Sequence, residues 1–103
     1  MMYHMEWFNA KDPAELRRFA KEELLPYWRE VGKFRVWLLE SEENLAPHQF
    51  CLITEMERLG DIDGWPARAQ GDEMGKALMA RFRELRTNPP TAAVMKNIEG
   101  LSW

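Results

Sequence analysis

Apolar side chains occupy every second position in three stretches of the chain, residues 2–9, 33–40 and 49–57. A period of two is typical of β-strands, in which successive side chains point to opposite faces of a sheet. In these stretches apolar residues fall on both faces, while the ionisable groups fall on one. We expect helices of the same chain to cover one face of the sheet, and a second subunit or a ligand to cover the other.

One face of the predicted sheet therefore combines ionisable groups with large apolar side chains. On the first strand, Tyr3, Met5 and Trp7 form the opposite, apolar face of the sheet. On the other strands, Val36 and Leu52 belong to that apolar face. The mixed face is assigned His4, Glu6, Phe8, Arg35, Trp37, Leu39, Cys51, Ile53 and Glu55. Because this face lacks a cover within the chain, we expect the sheet to dimerise around a cavity.

A helix is predicted between the first two strands. Asp12 supplies an N-cap acceptor, Pro13 suits the first helical position, and Glu15 completes a pattern close to a capping box. Apolar residues then recur at steps of three and four until Gly32, a good C-terminal stop. Pro26 lacks the N–H that the helix requires, so we expect a kink or a break near residues 22–25.

A second helix is predicted to begin at Asp72 and to stop at residues 87–90, before a fourth strand at 91–99. Between the third strand and the second helix, residues 60–71 are predicted to form either a short helical turn around Trp65 or an irregular connection. The order is strand, helix, strand, strand, helix, strand, as in ferredoxin-like domains. The chain length predicts one α+β domain over residues 1–103. Right-handed crossovers then predict a four-stranded antiparallel sheet with the first and third strands central and two helices on one face.

The charge balance argues against one class of partner. The chain has 14 Lys and Arg residues against 17 Asp and Glu residues and a net charge of -3, so it lacks the positive surplus that phosphate binding uses. RNA-recognition domains share the order of elements, but residues 49–55 lack the glycine and the basic residue of their usual motif. We expect no nucleic acid partner.

Membrane, metal and thiol chemistry are not expected either. No apolar run approaches the roughly 20 residues of a membrane span, and no signal segment begins the chain, so a cytoplasmic protein is expected. Cys51 is interpreted as an apolar strand residue rather than a nucleophile. His4, Glu6, His48 and Glu55 lack the spacing of a metal site, and we expect no cofactor. Five tryptophans and seven methionines favour an oligomer.

His4 and Glu6 are the leading candidates for chemistry. They lie two apart on one strand, so their side chains point the same way, and an antiparallel neighbour would bring Glu55 or Arg35 close. A histidine beside a carboxylate can move a proton to and from a substrate. We assign His4 or Glu55 as the base and Arg35 as the group that holds developing negative charge. The alternative is an ion-pair network that fixes register across a dimer.

Tryptophans are the candidate walls of a ligand pocket. A helix broken at Pro26 above a sheet can leave a gap for a small apolar molecule. The alternative is ordinary core packing, which is the usual role of aromatic residues at helical spacing. The candidate contacts are Trp7, Trp28, Trp37, Trp65 and Glu6.

The order of elements, the chain length and the Trp65 turn before the second helix resemble the dimeric α+β barrel superfamily. That superfamily includes antibiotic-biosynthesis and other quinol-type monooxygenases that need no cofactor, haem-degrading monooxygenases, muconolactone-isomerase-like proteins and NIPSNAP-like proteins. The resemblance implies two sheets that face each other, with helices outside and ligand cavities between sheet and helices. It implies a homodimer that buries the face of His4, Arg35, Trp37 and Glu55.

The monooxygenase members use an asparagine near the first strand together with a tryptophan and a histidine on or near the second helix. Asn9 and Trp65 match the first two positions, but no histidine follows His48, which places haem cleavage and oxygenase chemistry in doubt. The first hypothesis is a homodimer that binds or converts a small, partly apolar molecule, as a cofactor-free oxygenase or a proton-transfer isomerase. The alternative is a non-catalytic interaction module whose open face serves dimerisation.

Overall fold

Four strands form one antiparallel sheet in the computed structural model, which describes residues 1–32, 34–42, 48–57, 72–87 and 90–101. The strands are β1 (Met2–Phe8), β2 (Arg35–Glu40), β3 (Phe50–Met56) and β4 (Thr91–Lys96). Their order across the sheet is β2-β3-β1-β4, and every pair is antiparallel. The predicted α+β fold with the first and third strands central is therefore confirmed, although each strand is shorter than predicted.

The first helix, residues 13–32, begins as predicted and is irregular beyond its first two turns. The Asp12 carboxylate accepts a hydrogen bond from the Glu15 N–H at 3.2 Å, and Pro13 is the first helical residue. The helix alternates between α-helical turns at Pro13–Phe19 and Leu25–Tyr27 and π-helical turns at Ala20–Leu24 and Trp28–Gly32. Pro26 cannot donate to the preceding turn, and the wider π-helical turns on either side accommodate that missing bond.

The second helix, Glu73–Leu85, is fixed at both ends by hydrogen bonds. At its start the Asp72 carboxylate accepts from the Met74 N–H at 3.1 Å and from the Tyr27 hydroxyl at 2.7 Å. At its end the Lys11 N–H donates to the Leu85 carbonyl at 3.0 Å. These bonds join the second helix to the first helix and to the segment that follows β1.

The hydrophobic core lies between the two helices and one face of the sheet. Phe8 stands at its centre, stacked on Phe50 at 5.9 Å between ring centroids and edge-to-face with Phe82 at 5.3 Å. Both helices contribute to this one cluster, so they cover the same face, as predicted. The buried cluster comprises Phe8, Leu16, Phe19, Leu24, Tyr27, Trp28, Val36, Phe50, Leu52, Leu78, Phe82 and Leu85.

The strand register corrects the predicted face of β1. His4 lies opposite Thr54, Glu6 opposite Leu52, and Phe8 opposite Phe50. Paired residues share a face, and Leu52 and Phe50 are buried under the helices, so His4, Glu6 and Phe8 point toward the helices. The prediction that they share the other face with Arg35 and Glu55 is wrong. Alternation separates two sets of residues, but in β1 both sets contain aromatic residues, so alternation did not indicate which set the helices cover.

The face of the sheet away from the helices has no cover among the described residues. We call it the open face. Its members are Tyr3, Met5, Trp7, Arg35, Trp37, Leu39, Cys51, Ile53, Glu55, Thr91, Ala93 and Met95. None of these residues is buried, and Leu39 and Met95 are 51% and 53% exposed. Within the described part of the chain, strand β4 pairs only with β1, and it is exposed on both of its faces.

Candidate functional site

Arg35, Trp37 and Glu55 form a polar cluster at one end of the open face. Arg35 and Glu55 are register partners, and Arg35 Nη1 lies 3.9 Å from Glu55 Oε2. The guanidinium carbon of Arg35 lies 5.2 Å from the centre of the Trp37 ring, in cation–π geometry. The structure therefore brings together three of the predicted site residues. The Arg35 side chain is 75% exposed, whereas that of Glu55 is 14% exposed, so the arginine is the member of the cluster that an incoming group would meet.

A cavity of about 230 Å³ lies at the other end of the open face. We call it the Trp7 cavity. Trp7 and Leu39 both pair with Cys51, so these three side chains form one row of its floor. Residues beside the strand ends add polar groups. The lining side chains used below are Trp7, Leu39, Ser41, His48, Gln49 and Cys51. Glu55 lies four positions beyond Cys51 in β3, about 13 Å along an extended strand, so the polar cluster is a separate site.

Sequence reasoning identified Trp7 as a ligand contact but placed it on the helix-covered face, and it assigned no ligand-binding role to His48. The position of His48 just before β3 is the available signal, because residues that flank a strand end lie beside the last row of the sheet. His48 and Gln49 reach the cavity in this way, and Ser41 reaches it from the end of β2. The cavity thus combines an aromatic and aliphatic floor with polar groups at its rim, as small-molecule sites commonly do.

Cys51 supplies shape to the Trp7 cavity rather than a nucleophile. Partial burial raises the pKa of its thiol above the ordinary value. A raised pKa keeps the thiol protonated at neutral pH, and the protonated form is the unreactive one. The interpretation of Cys51 as an apolar lining residue therefore agrees with its position on the open face.

His4 and Glu6 lie on the helix-covered side, where Glu6 forms an ion pair. Glu6 Oε2 accepts from Arg86 Nη1 at 3.3 Å, and the two side chains are 22% and 11% exposed. The Arg86 guanidinium lies 4.8 Å over the Phe82 ring. Burial lowers the pKa of Arg86, and the Glu6 carboxylate opposes that shift. The pair ties β1 to the end of the second helix. Since the sheet separates Glu6 from Glu55, the predicted four-residue site does not assemble.

Two further predicted ligand contacts, Trp28 and Asn9, make contacts within the fold instead. Trp28 is buried in the core, with its ring edge-to-face with Phe82 at 6.4 Å. The side-chain oxygen of Asn9 accepts from the Gln49 N–H at 2.7 Å. The backbone carbonyl of Asn9 accepts from the Thr87 N–H at 2.8 Å. Asn9 therefore joins β1 to the segments that precede β3 and follow the second helix. Trp65 lies outside the described residues.

No group of three or more His, Cys, Asp or Glu side chains among the described residues is arranged to hold a metal ion. Neither of the helices in the described part of the chain is long and apolar enough to cross a membrane.

Solved structures with low sequence identity share the fold. A NIPSNAP family protein from Agrobacterium tumefaciens aligns with a TM-score of 0.80 and 11% identity, over 96% of this chain and 87% of that chain. A dimeric protein of unknown function with a ferredoxin-like fold, from Bacteroides fragilis, aligns with a TM-score of 0.68 and 11% identity, over 93% and 95%. This chain has the ferredoxin-like fold.

A third similar structure is described as a monooxygenase. A candidate antibiotic biosynthesis monooxygenase from Nitrosomonas europaea aligns with a TM-score of 0.68 and 14% identity, over 95% of this chain and 99% of that chain. The predicted resemblance to NIPSNAP-like and monooxygenase-like domains is thus confirmed for the fold. No family model matches the sequence, and no curated protein matches it. The site must therefore be argued from its own residues.

Proposed function

We propose that this protein is a homodimer that binds a small, partly apolar molecule in the Trp7 cavity. The observation that carries the proposal is the open face, a row of apolar and aromatic residues that no described element covers and that contains a cavity. Dimerisation through this face would bury the row and turn an open depression into an enclosed pocket.

Dimerisation is supported by the chemistry of the open face. Trp7, Trp37, Leu39, Ile53 and Met95 lie on it, and aromatic residues and methionine are enriched at the centres of protein interfaces. A contiguous apolar patch on a water-soluble chain marks an interaction site. The similar structure from Bacteroides fragilis is described as dimeric, which agrees with a two-subunit arrangement.

Ligand binding is supported by the composition of the Trp7 cavity. Trp7 offers a flat ring on which an aromatic molecule can stack, and Leu39 and Cys51 add apolar surface. His48 and Gln49 offer a ring nitrogen and an amide to orient a hydroxyl or carbonyl group. We infer that the ligand is an uncharged or weakly polar aromatic compound that carries a hydroxyl or carbonyl group.

Proton transfer at this cavity would be carried out by His48. It is the imidazole at the rim of the cavity, and imidazole is the side chain that most often serves as a general acid or base. His4 faces the helices, and Glu55 lies at the far end of the open face. Among the reaction types considered from the sequence, an isomerase-like proton transfer is the one that this histidine would serve.

The test compares two replacements of Cys51. Cys51→Phe fills the Trp7 cavity, whereas Cys51→Ala leaves it open. With 1-naphthol as the probe, we expect the wild type and Cys51→Ala to show a raised melting temperature and Cys51→Phe to show none. Sedimentation measurements on the same samples establish whether each variant is still a dimer.

The alternative function is a non-catalytic module whose open face serves dimerisation alone. It predicts that 1-naphthol and related phenols leave the melting temperature of the dimeric wild type unchanged. An equal shift in wild type and Cys51→Phe would also count against ligand binding in this cavity, because the probe would then bind elsewhere.

A further inference from the structure

A second cavity lies on the helix side of the sheet, between the first helix and strand β2. It is a groove of about 310 Å³ whose lining includes Ala20, Lys21, Leu25, Arg29, Leu38 and Phe50. We call it the basic groove. It lies across the sheet from the open face, so a partner subunit seated on that face would leave it accessible. It shares Glu40 and Phe50 with the lining of the Trp7 cavity, and its other lining residues are different.

The floor of the basic groove is apolar and well supported. Phe50 is buried in the core, and Leu25 and Leu38 are half-buried and packed against it. Strand β2 is at the edge of the sheet that the described residues form, so no described strand closes the groove on that side. The π-helical turns Ala20–Leu24 and Trp28–Gly32 run along the opposite wall. Such turns depart from regular helix geometry and are frequent at functional sites.

The rim of the basic groove is positively charged in a chain whose net charge is -3. Lys21, Leu25 and Arg29 are four residues apart, so they form a row along one side of the first helix. Both cations are exposed, and no carboxylate among the described residues lies within ion-pair distance of either. Their charges are therefore available to a ligand.

The one carboxylate at the groove already has a partner. Glu40 accepts from Arg17 Nε at 2.8 Å and from Arg17 Nη2 at 2.7 Å, a two-pronged ion pair across one end of the groove. The Arg17 hydrogen bonds lower the pKa of Glu40, so the carboxylate stays charged and stays paired. The pair closes that end without offsetting the charge of Lys21 and Arg29.

We propose that the basic groove binds a small amphipathic carboxylate. The apolar body of the ligand lies on Leu25, Leu38 and Phe50, and its carboxylate is held by Lys21 and Arg29. An arginine fork and a lysine ammonium are the usual partners of such a group. The half-open shape leaves the charged end of the ligand in contact with water, which keeps the desolvation cost of the carboxylate low.

The experiment uses two probes that differ only at the head group, 4-phenylbutyrate and 4-phenylbutan-1-ol. Isothermal titration calorimetry on the wild type is expected to show the acid binding at least tenfold more tightly than the alcohol. Added sodium chloride should weaken binding of the acid, because the cations are exposed and screened by salt. Failure of the acid to bind, or equal affinity for acid and alcohol, would overturn the proposal.

Two charge variants locate the site. In the double variant Lys21→Gln, Arg29→Gln, affinity for the acid should fall at least tenfold while affinity for the alcohol is unchanged. The matched control Lys11→Gln, Lys76→Gln removes two exposed cations that do not line the groove and should keep the wild-type affinity. All four side chains are exposed, so both variants are expected to fold. An unchanged affinity in the first double variant would contradict the assignment.

Cavity-filling variants separate this groove from the Trp7 cavity. Leu38→Trp fills the groove and should abolish binding of the acid, whereas Cys51→Phe should not. If Leu38→Trp fails to fold, Leu25→Phe fills the same groove from the half-buried helix side with a smaller addition. Loss of binding in Cys51→Phe with retention in Leu38→Trp would place the acid in the other cavity and refute the proposal.

Discussion

The two faces of the sheet differ most clearly at two adjacent residues of β1. Phe8 is 1% exposed and touches the rings of Phe50 and Phe82, whereas Trp7 lies on the open face and lines a cavity. Both are large aromatic residues on the same strand. The helices of the same chain cover the first face, whereas none of the described residues covers the open face. The covered face thus holds the core on which folding depends, whereas the open face presents apolar surface that is not used in that core.

The largest expected effect is on the covered face. Phe8→Ala removes the ring at the centre of the core and should lower the free energy of unfolding by about 3–5 kcal/mol. Trp7→Ala is the comparison on the open face, and its effect on the free energy of unfolding should depend on protein concentration. Chemical denaturation of Phe8→Ala and Trp7→Ala measures both effects. A loss for Phe8→Ala as small as 1 kcal/mol would contradict the assignment of the core.

The next effect is on association through the open face. Trp37→Glu places a charge in the proposed interface and should weaken the dimer by about a hundredfold, or ~2.8 kcal/mol. Met74 is 62% exposed on the second helix, so Met74→Glu is the matched control and should leave association unchanged. Sedimentation equilibrium measures both. Equal effects of the two variants would indicate a different interface.

A smaller effect is expected at the ion pair on the covered side. Glu6→Gln leaves the Arg86 guanidinium without its carboxylate in a partly buried position, which should cost about 1–3 kcal/mol of folding free energy. The exposed pair of Glu73 and Lys76 provides the comparison, and Glu73→Gln should cost at most about 0.5 kcal/mol. Denaturation at low and high salt distinguishes the pairs, because only the exposed one is strongly screened.

The smallest expected effect concerns the hydrogen bond from the Tyr27 hydroxyl to Asp72, which joins the two helices above the covered face. Burial, followed by the hydrogen bond to Asp72, raises the pKa of Tyr27 from 10.0 to about 12. The folded protein thus holds this proton more tightly than the unfolded chain does. The contribution of the bond to stability is fully present below pH 10 and is lost as pH rises through about 12.

Tyr27→Phe should therefore lower the free energy of unfolding by ~1 kcal/mol near neutral pH. Its difference from the wild type should narrow as the pH rises above about 10. Denaturation across this pH range, with absorbance of tyrosinate as the titration signal, measures the change. A difference that grows with pH would contradict the sign of the shift.

The fold could be predicted from local signals. The capping residues Asp12 and Asp72 mark where helices begin, and alternation marks the strands, because both patterns depend on neighbours in the sequence. The face of β1 could not be predicted in the same way. His4 and Glu6 resemble an active-site pair until the register with Thr54 and Leu52 shows which side they occupy.

The candidate sites depend on contacts between distant segments. Alternation predicted that Arg35 and Glu55 share one face of the sheet, and the register of β2 and β3 makes them direct partners. The pairing of Glu6 with Arg86 joins residues 80 positions apart, and no local pattern marks it. The row of Lys21 and Arg29 resembles any solvated helix face in the sequence. Its meaning depends on the apolar floor that Leu38 and Phe50 provide from the sheet.

The most direct test of the open face is the mass of the wild-type protein in solution. Sedimentation equilibrium across the micromolar range should give twice the chain mass of 12.2 kDa, with dissociation to single chains in Trp37→Glu. A mass of 12.2 kDa at every concentration, unchanged by Trp37→Glu, would contradict the proposal that a second copy of the chain covers this face.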